Sequence, residues 1–210
     1  SGIQRMFIPV WGVAAANAVD AILPSRSGTW NGTVTHTGKA ATGDGTTGYL
    51  DMVLSTSVEG MADGTAWLAT HLLAGGGGMA RFEVAIGGAF EGPELSTYVA
   101  NGQHVHASGD GVAFQQAVAS VVGVFLGYRG TVNRGAVAYD GTITSSFAAV
   151  PAESHYDGTI IGLATSVEGV PNALSNRPTA LLVAGNSALT QAQAEAIAIR
   201  LHTLVTKLRA

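Results

Sequence analysis

The apolar residues of this chain fall into short runs broken by turn-forming dipeptides, and the runs read as strands. Asx-Gly pairs stand at Asn31-Gly32, Asp44-Gly45, Asp63-Gly64, Asn101-Gly102, Asp110-Gly111, Asp140-Gly141 and Asp157-Gly158. Asn and Asp tolerate a positive φ and Gly adopts one freely, so each pair marks a tight turn. Between them, Gly48 to Leu54 and Thr65 to Leu73 have strand character and no helical spacing. Arg81 to Ile86 alternates, with Phe82, Val84 and Ile86 on one face and Arg81 and Glu83 on the other, the pattern of a half-buried strand. Val121 to Leu126 is apolar at both parities and is expected to be a central strand covered on both faces. Tyr98 to Val105 reads as two strands joined by a type I′ turn at Asn101-Gly102. The tetraglycine Gly75 to Gly78 is too short for a linker and reads as a loop tip.

After Thr190 the pattern changes: QAQAEAIAIRLHTLVTKLRA has no Gly or Pro and is rich in Ala, Gln and Leu, which predicts a helix over about 190–208. Thr190 with Gln193 forms a capping box, Glu195 lies near the positive end of the helix dipole, and Lys207 and Arg209 lie near the negative end. Ile197, Leu201, Leu204, Val205 and Leu208 recur at helical spacing and are expected to pack on the sheets. Thr56 to Gly60 recurs as Thr165 to Gly169, but the flanks diverge and no repeat follows. The 210 residues are expected to form a single domain.

Composition supports a buried core, with 47% apolar and only 11% charged residues. The 29 glycines fit the many turns. A mean hydropathy of +0.30 raises the question of a membrane span, but Gly111 to Tyr128 is interrupted by Gln115, Gln116 and glycines, so no membrane insertion is expected. The formal charge is −4 and the ten cationic residues are scattered, which argues against nucleic acid as a partner. With no cysteine there is no disulfide framework, thiol nucleophile or thiolate metal site. The opening Ser1-Gly2 carries no leader pattern and reads as the start of a processed product or fragment.

Several segments, in order, resemble one family. Gly43-Asp44-Gly45-Thr46-Thr47-Gly48-Tyr49-Leu50 resembles a "GDGxxxYL" lead-in to an early core strand, followed by strand-like Trp67 to Leu73 and Arg81 to Ile86. Val121 to Tyr128 with Val137 to Thr142 is similar to a central "VAV…G…YVDG" hairpin, and Thr179 to Ala184 with Ala188-Leu189-Thr190 to a final strand and helix. Together they resemble the concanavalin A-like lectin/glucanase superfamily, in particular laminin-G-like modules of bacteriophage tail, fibre and other virion appendage proteins. The resemblance covers most of residues 30–208. It implies an all-β jelly-roll sandwich of two antiparallel sheets with a C-terminal helix, a fold on which members carry sugar sites, protein contacts or hydrolytic carboxylates. Fold alone does not choose among these.

Catalytic motifs are weak. Gly43-x-Gly45-x-x-Gly48 matches a dinucleotide fingerprint only on paper, because a strand and not a helix follows it. Gly32 to Lys39 is one residue too long for a phosphate-binding loop, and Ala40 stands where Ser or Thr is required. The glucanases of the superfamily carry an ExDxxE string that is absent here, and neither Glu91/Glu94 nor Glu153/Asp157 has the spacing of a glycosidase pair on one strand. No cofactor is implied. His104 and His106 lie on one strand face and could share a metal, but two ligands are not a site, and exposed polar residues are the better reading. His71 is expected to be a hydrogen-bonded core histidine, and His155 lies in a loop without a paired acid.

Sugar recognition needs aromatic faces for ring CH patches and polar groups for hydroxyls. Trp30, Tyr98, Tyr128, Arg129, Asn133 and Arg134, with His104 and His106, have that chemistry in or beside expected loops. Together with the low charge and the missing glucanase string, the resemblance implies a non-catalytic module that binds a cell-surface polysaccharide on a virion or phage-like particle surface, or otherwise outside the cell. Virion structural proteins are its expected partners. Weak sugar sites gain from avidity, so self-association or mounting on a multivalent particle is expected. The alternatives are a structural or adaptor virion protein without glycan binding and, third, a polysaccharide hydrolase or lyase.

Overall fold

The computed structural model describes residues 2–55, 61, 66–74, 81–86, 94–98, 104–109, 112–117, 122–129, 133–149, 159–167, 170–172 and 174–210. Its strands are β1 (Ile3–Phe7), β2 (Thr29–Asn31), β3 (Val34–His36), β4 (Ala41–Gly43), β5 (Tyr49–Ser55), β6 (Ala66–Leu72), β7 (Arg81–Ile86), β8 (Glu94–Tyr98) and β9 (His104–Gly109). They continue with β10 (Val112–Ala117), β11 (Gly123–Arg129), β12 (Arg134–Tyr139), β13 (Ile143–Ala148), β14 (Thr159–Gly162), β15 (Thr165–Val167), β16 (Val170–Asn172) and β17 (Thr179–Gly185). The α-helices among the described residues are the single turn α1 (Ala14–Asn17) and the long α2 (Gln191–Leu208), and a short 3-10 turn spans Pro24–Arg26.

Two antiparallel sheets form the jelly-roll sandwich that the sequence led us to expect. The first runs β13-β12-β11-β6-β17-β4-β3, with β1 pairing along the far half of β17; the second runs β10-β9-β8-β7-β14-β5-β2. Alternation along the first sheet explains three layers. Leu68, Leu72, Phe125, Ala136 and Leu182 turn inward to meet Leu50, Met52, Leu54 and Ile160 of the second sheet. Trp67, Ala69, Val124, Leu126, Val137 and Val183 turn outward into a second cluster, which α2 joins by packing on β6, β11, β12 and β13. The first sheet is thus buried on both faces, which is why β11 reads as apolar at both parities. A bulge between Thr179 and Leu181 shifts the register of β17 against β6 and leaves both Ala180 and Leu181 in the outer cluster.

The described Asx-Gly turns behave as such: Gly32, Gly45 and Gly141 have φ of +63°, +76° and +117°. At the nucleotide-like fingerprint, Asp44 Oδ1 accepts from the amides of Thr46, Thr47 and Gly48 at 2.9, 2.7 and 2.9 Å, and Oδ2 accepts from the Thr47 hydroxyl at 2.7 Å. These bonds hold the carboxyl far below the usual carboxylate range. A Cβ on Gly48 would lie 2.2 Å from the Thr33 carbonyl oxygen, so this glycine serves chain packing at the β4–β5 turn. The expected turns at Asp63-Gly64, Asn101-Gly102, Asp110-Gly111 and Asp157-Gly158, and the tetraglycine tip, lie outside the described residues. The β8–β9 register can still be read: Tyr98 stands opposite His104, whereas a two-residue turn at Asn101-Gly102 would set it opposite Val105. The pairing is as expected, and its register is shifted by one residue.

Helix α2 has the predicted capping box, with the Gln193 amide donating to Thr190 Oγ1 at 3.3 Å and the Thr190 amide donating to Gln193 Oε1 at 2.8 Å. Its buried seam is Ala194, Ala198, Leu201 and Val205; Ile197 and Leu204 flank the seam and Leu208 is exposed. Four of the five expected stripe residues thus pack on the sheets, Leu208 does not, and Ala194 and Ala198 complete the buried face. Glu195 accepts from the Ser145 hydroxyl, and Gln191 donates to both groups, tying the first turn to β13. Thr190→Ala should cost about 1 kcal/mol. The melting temperature should fall by about 2–4 °C in a thermal unfolding scan.

Candidate functional site

An aromatic and polar cluster forms where β2 and β3, the edges of the two sheets, meet the excursion that follows β1. From Met6 to Ser25 the only charged residue is Asp20. It is fully buried and meets Arg5, itself 2% exposed, with Nε to Oδ2 at 3.6 Å. Asp20 Oδ1 also accepts from the amides of Met6 at 3.1 Å and Ile22 at 2.9 Å, so the excursion is fastened to β1. The surface left outside is uncharged and apolar: Trp11, Val13, Val19, Ile22 and Leu23 are all exposed.

Trp11 is 54% exposed and its backbone is held from behind. The Trp11 amide donates to Oδ1 of the fully buried Asn17 at 2.9 Å, and Asn17 Nδ2 lies 2.9 Å from His36 Nδ1. The imidazole of His36 meets the indole of Trp30 edge-on, with centroids 4.8 Å apart. Trp30 packs its other side on the inter-sheet core, and its buried indole N–H has no hydrogen-bond partner. Gly12, at φ +78°, lets the turn after Trp11 settle against Thr37 and Gly38. Burial pushes the His36 pKa below its ordinary value. An indole face with hydrogen-bonding groups behind it is suited to an uncharged ligand that offers CH patches and hydroxyls.

Of the residues singled out from sequence, only Trp30 belongs to this cluster. Tyr98 ends β8 and His104 and His106 lie on β9, where Ser96 and Gln115 stand opposite His106. Strands β5, β14 and β7 separate β2 from β8, a span of about 19 Å at the usual strand spacing. Trp30 and the β8–β9 residues therefore do not address one sugar ring. Arg129 and Arg134 are paired at the end of the β11–β12 hairpin, with partly exposed Asn133 just before it. Two expectations of exposure are corrected. Tyr128 is 3% exposed and stacks on Phe147 at 5.9 Å, continuing the outer apolar row of Val124 and Leu126. Arg134 is 2% exposed because it begins a buried strand.

His71 is buried as expected, but neither ring nitrogen makes a hydrogen bond. It stacks on His202 of α2 at 5.2 Å instead. Among the described residues no three His, Cys, Asp or Glu side chains gather as a metal site. His155, Asp110, Glu91, Glu153 and Asp157 lie outside the described residues. Sequence reasoning does not find Trp11, Asn17 and His36; for Trp11 and Asn17 the available signal is an apolar, nearly uncharged stretch without strand or helix periodicity, and for His36 there is none.

No protein-family model matches the chain, and no curated protein does. Among solved structures, the CBM40 domain of the Ruminococcus gnavus IT-sialidase bound to α2,3 sialyllactose is 12% identical over 65% of this chain and 82% of that one, with a TM-score of 0.48. Domain 4 of AbnA, a GH43 extracellular arabinanase from Geobacillus stearothermophilus, in complex with arabinotriose, is 12% identical over 93% of this chain and 98% of that one, at 0.49. Tailspike protein 2 from Escherichia coli O157:H7 bacteriophage CAB120 is 14% identical over 68% of this chain and 22% of its own length, at 0.46.

Proposed function

We propose that the chain is a non-catalytic carbohydrate-binding module that recognises a cell-surface polysaccharide, carried on a virion or phage-like particle appendage. The observation that carries this reading is the half-exposed Trp11 indole, backed by the buried Asn17 and by His36 and Trp30. Sugar rings stack on such faces, and the uncharged surroundings suit a neutral saccharide. The carboxylates in the described hydrogen-bond networks support a non-catalytic role: Asp20, Asp44, Asp51, Asp140 and Glu195 each accept bonds that shape turns or tie elements together. The test is a glycan array followed by titration of the best ligand. Trp11→Ala should weaken binding at least tenfold, about 1.4 kcal/mol, without lowering the melting temperature. Unchanged affinity moves the site elsewhere on the sandwich.

The exposed Val13, Val19, Ile22 and Leu23 beside Trp11 favour a second reading, a structural or adaptor domain that docks on virion proteins through this apolar surface. Binding to particles by a protein that recognises no host glycan would select it. Light scattering of the isolated protein separates self-association from mounting on a particle as the source of avidity.

A further inference from the structure

The orientation of Asn17 determines the protonation state of His36. A backbone N–H can only donate, so the Asn17 atom 2.9 Å from the Trp11 amide is the carbonyl oxygen Oδ1. The amide nitrogen Nδ2 therefore faces His36, and the ring nitrogen 2.9 Å from it, Nδ1, must accept. His36 is thereby fixed as the neutral tautomer with its proton on Nε2. Asn17 is fully buried, and turning its amide over to accept from His36 would set NH2 against the Trp11 N–H. One buried side chain thus cannot serve both a protonated His36 and the Trp11 amide.

We infer that Asn17 and His36 are positioning residues for the Trp11 platform, and that a single proton on His36 Nδ1 releases it. The inference rests on the reading of Trp11 as the ligand-binding face and makes that face sensitive to pH. Around His36, α1 contributes Asn17, β2 contributes Trp30, and β4 sets Ala41 opposite it; none of these side chains takes up a proton in the acid range. Lys39 follows in the exposed turn. Desolvation at the cluster places the transition below the ordinary histidine range, so the platform is held at neutral pH and freed in acid.

Hydrogen exchange of the Trp11 amide, expressed as protection relative to its intrinsic rate and followed by NMR from pH 7.5 to 4.5, tests this without any glycan. The expected result is a fall in protection of at least tenfold, tracking the His36 ring resonances, while the Phe125 amide of β11 stays protected. His36→Asn supplies an acceptor oxygen that does not titrate and should flatten the profile. Asn17→Asp offers a carboxylate that accepts from both the Trp11 amide and a protonated His36, so protection should persist into acid. Protection that is independent of pH in the wild type, or unchanged pH dependence in His36→Asn, overturns the inference. If the Trp11 amide follows His36 in a protein that binds no glycan, the switch stands and the functional reading fails.

Discussion

Leu201→Asp should unfold or aggregate the protein. Leu201 is 5% exposed in the seam of α2, between the buried Ala198 and Val205 and over the outer row of the first sheet. Removing a buried leucine side chain alone costs about 2–5 kcal/mol. A carboxyl group placed there without a partner adds several kcal/mol even after it neutralises itself by taking up a proton. The sum approaches the whole stability of a domain, about 5–15 kcal/mol. Loss would spread beyond the helix, because α2 packs on β6, β11, β12 and β13 and shares the outer cluster with Trp67, Val124 and Leu126. Leu208→Asp is the control: that side chain is exposed, and its substitution should stay within about 0.5 kcal/mol. Circular dichroism melts of both variants decide the matter. Equal melting temperatures would mean that α2 is not docked.

The same helix shows what the sequence could and could not disclose. Its length, its capping box and its position after the last strand were legible, since each depends on residues a few positions apart. The share of Ala194 and Ala198 in its seam was not, because alanines have little hydropathy and declare themselves only against the sheet they touch. Strand β11 was legible for the opposite reason: a strand covered on both faces has no polar parity to hide. The exposure of Tyr128 was misjudged where that row of outward residues ran on toward an expected loop. The candidate site was the least legible part. Asn17 and His36 are 19 residues apart, and Asp20 is neutralised by Arg5 on β1. No periodicity encodes such contacts, and the family resemblance begins only at residue 30.

Acid should destabilise the protein well before its carboxylates are protonated, and among the described residues His71 is the principal cause. The ring is buried between β6 and α2, stacked on His202, whose other side meets Tyr139 edge-on. Burial lowers its pKa to about 4, and the nearby positive charges of His202 and Arg209 act in the same direction. The unfolded chain binds this proton near pH 6.5, while the folded protein resists it down to about 4. Between those values the unfolded state holds more protons, so stability rises with pH there. The contribution is complete above about pH 6.5, is lost progressively as pH falls toward 4, and amounts to about 3 kcal/mol. His36, whose pKa is also lowered by burial, acts with the same sign. Urea unfolding at pH 7, 6, 5 and 4.5 should therefore show a steadily falling midpoint. His71→Phe keeps an aromatic ring against His202 but cannot take up a proton, and most of the slope should disappear. A variant with the full wild-type slope would assign the acid sensitivity to other groups and leave His71 as a packing residue only.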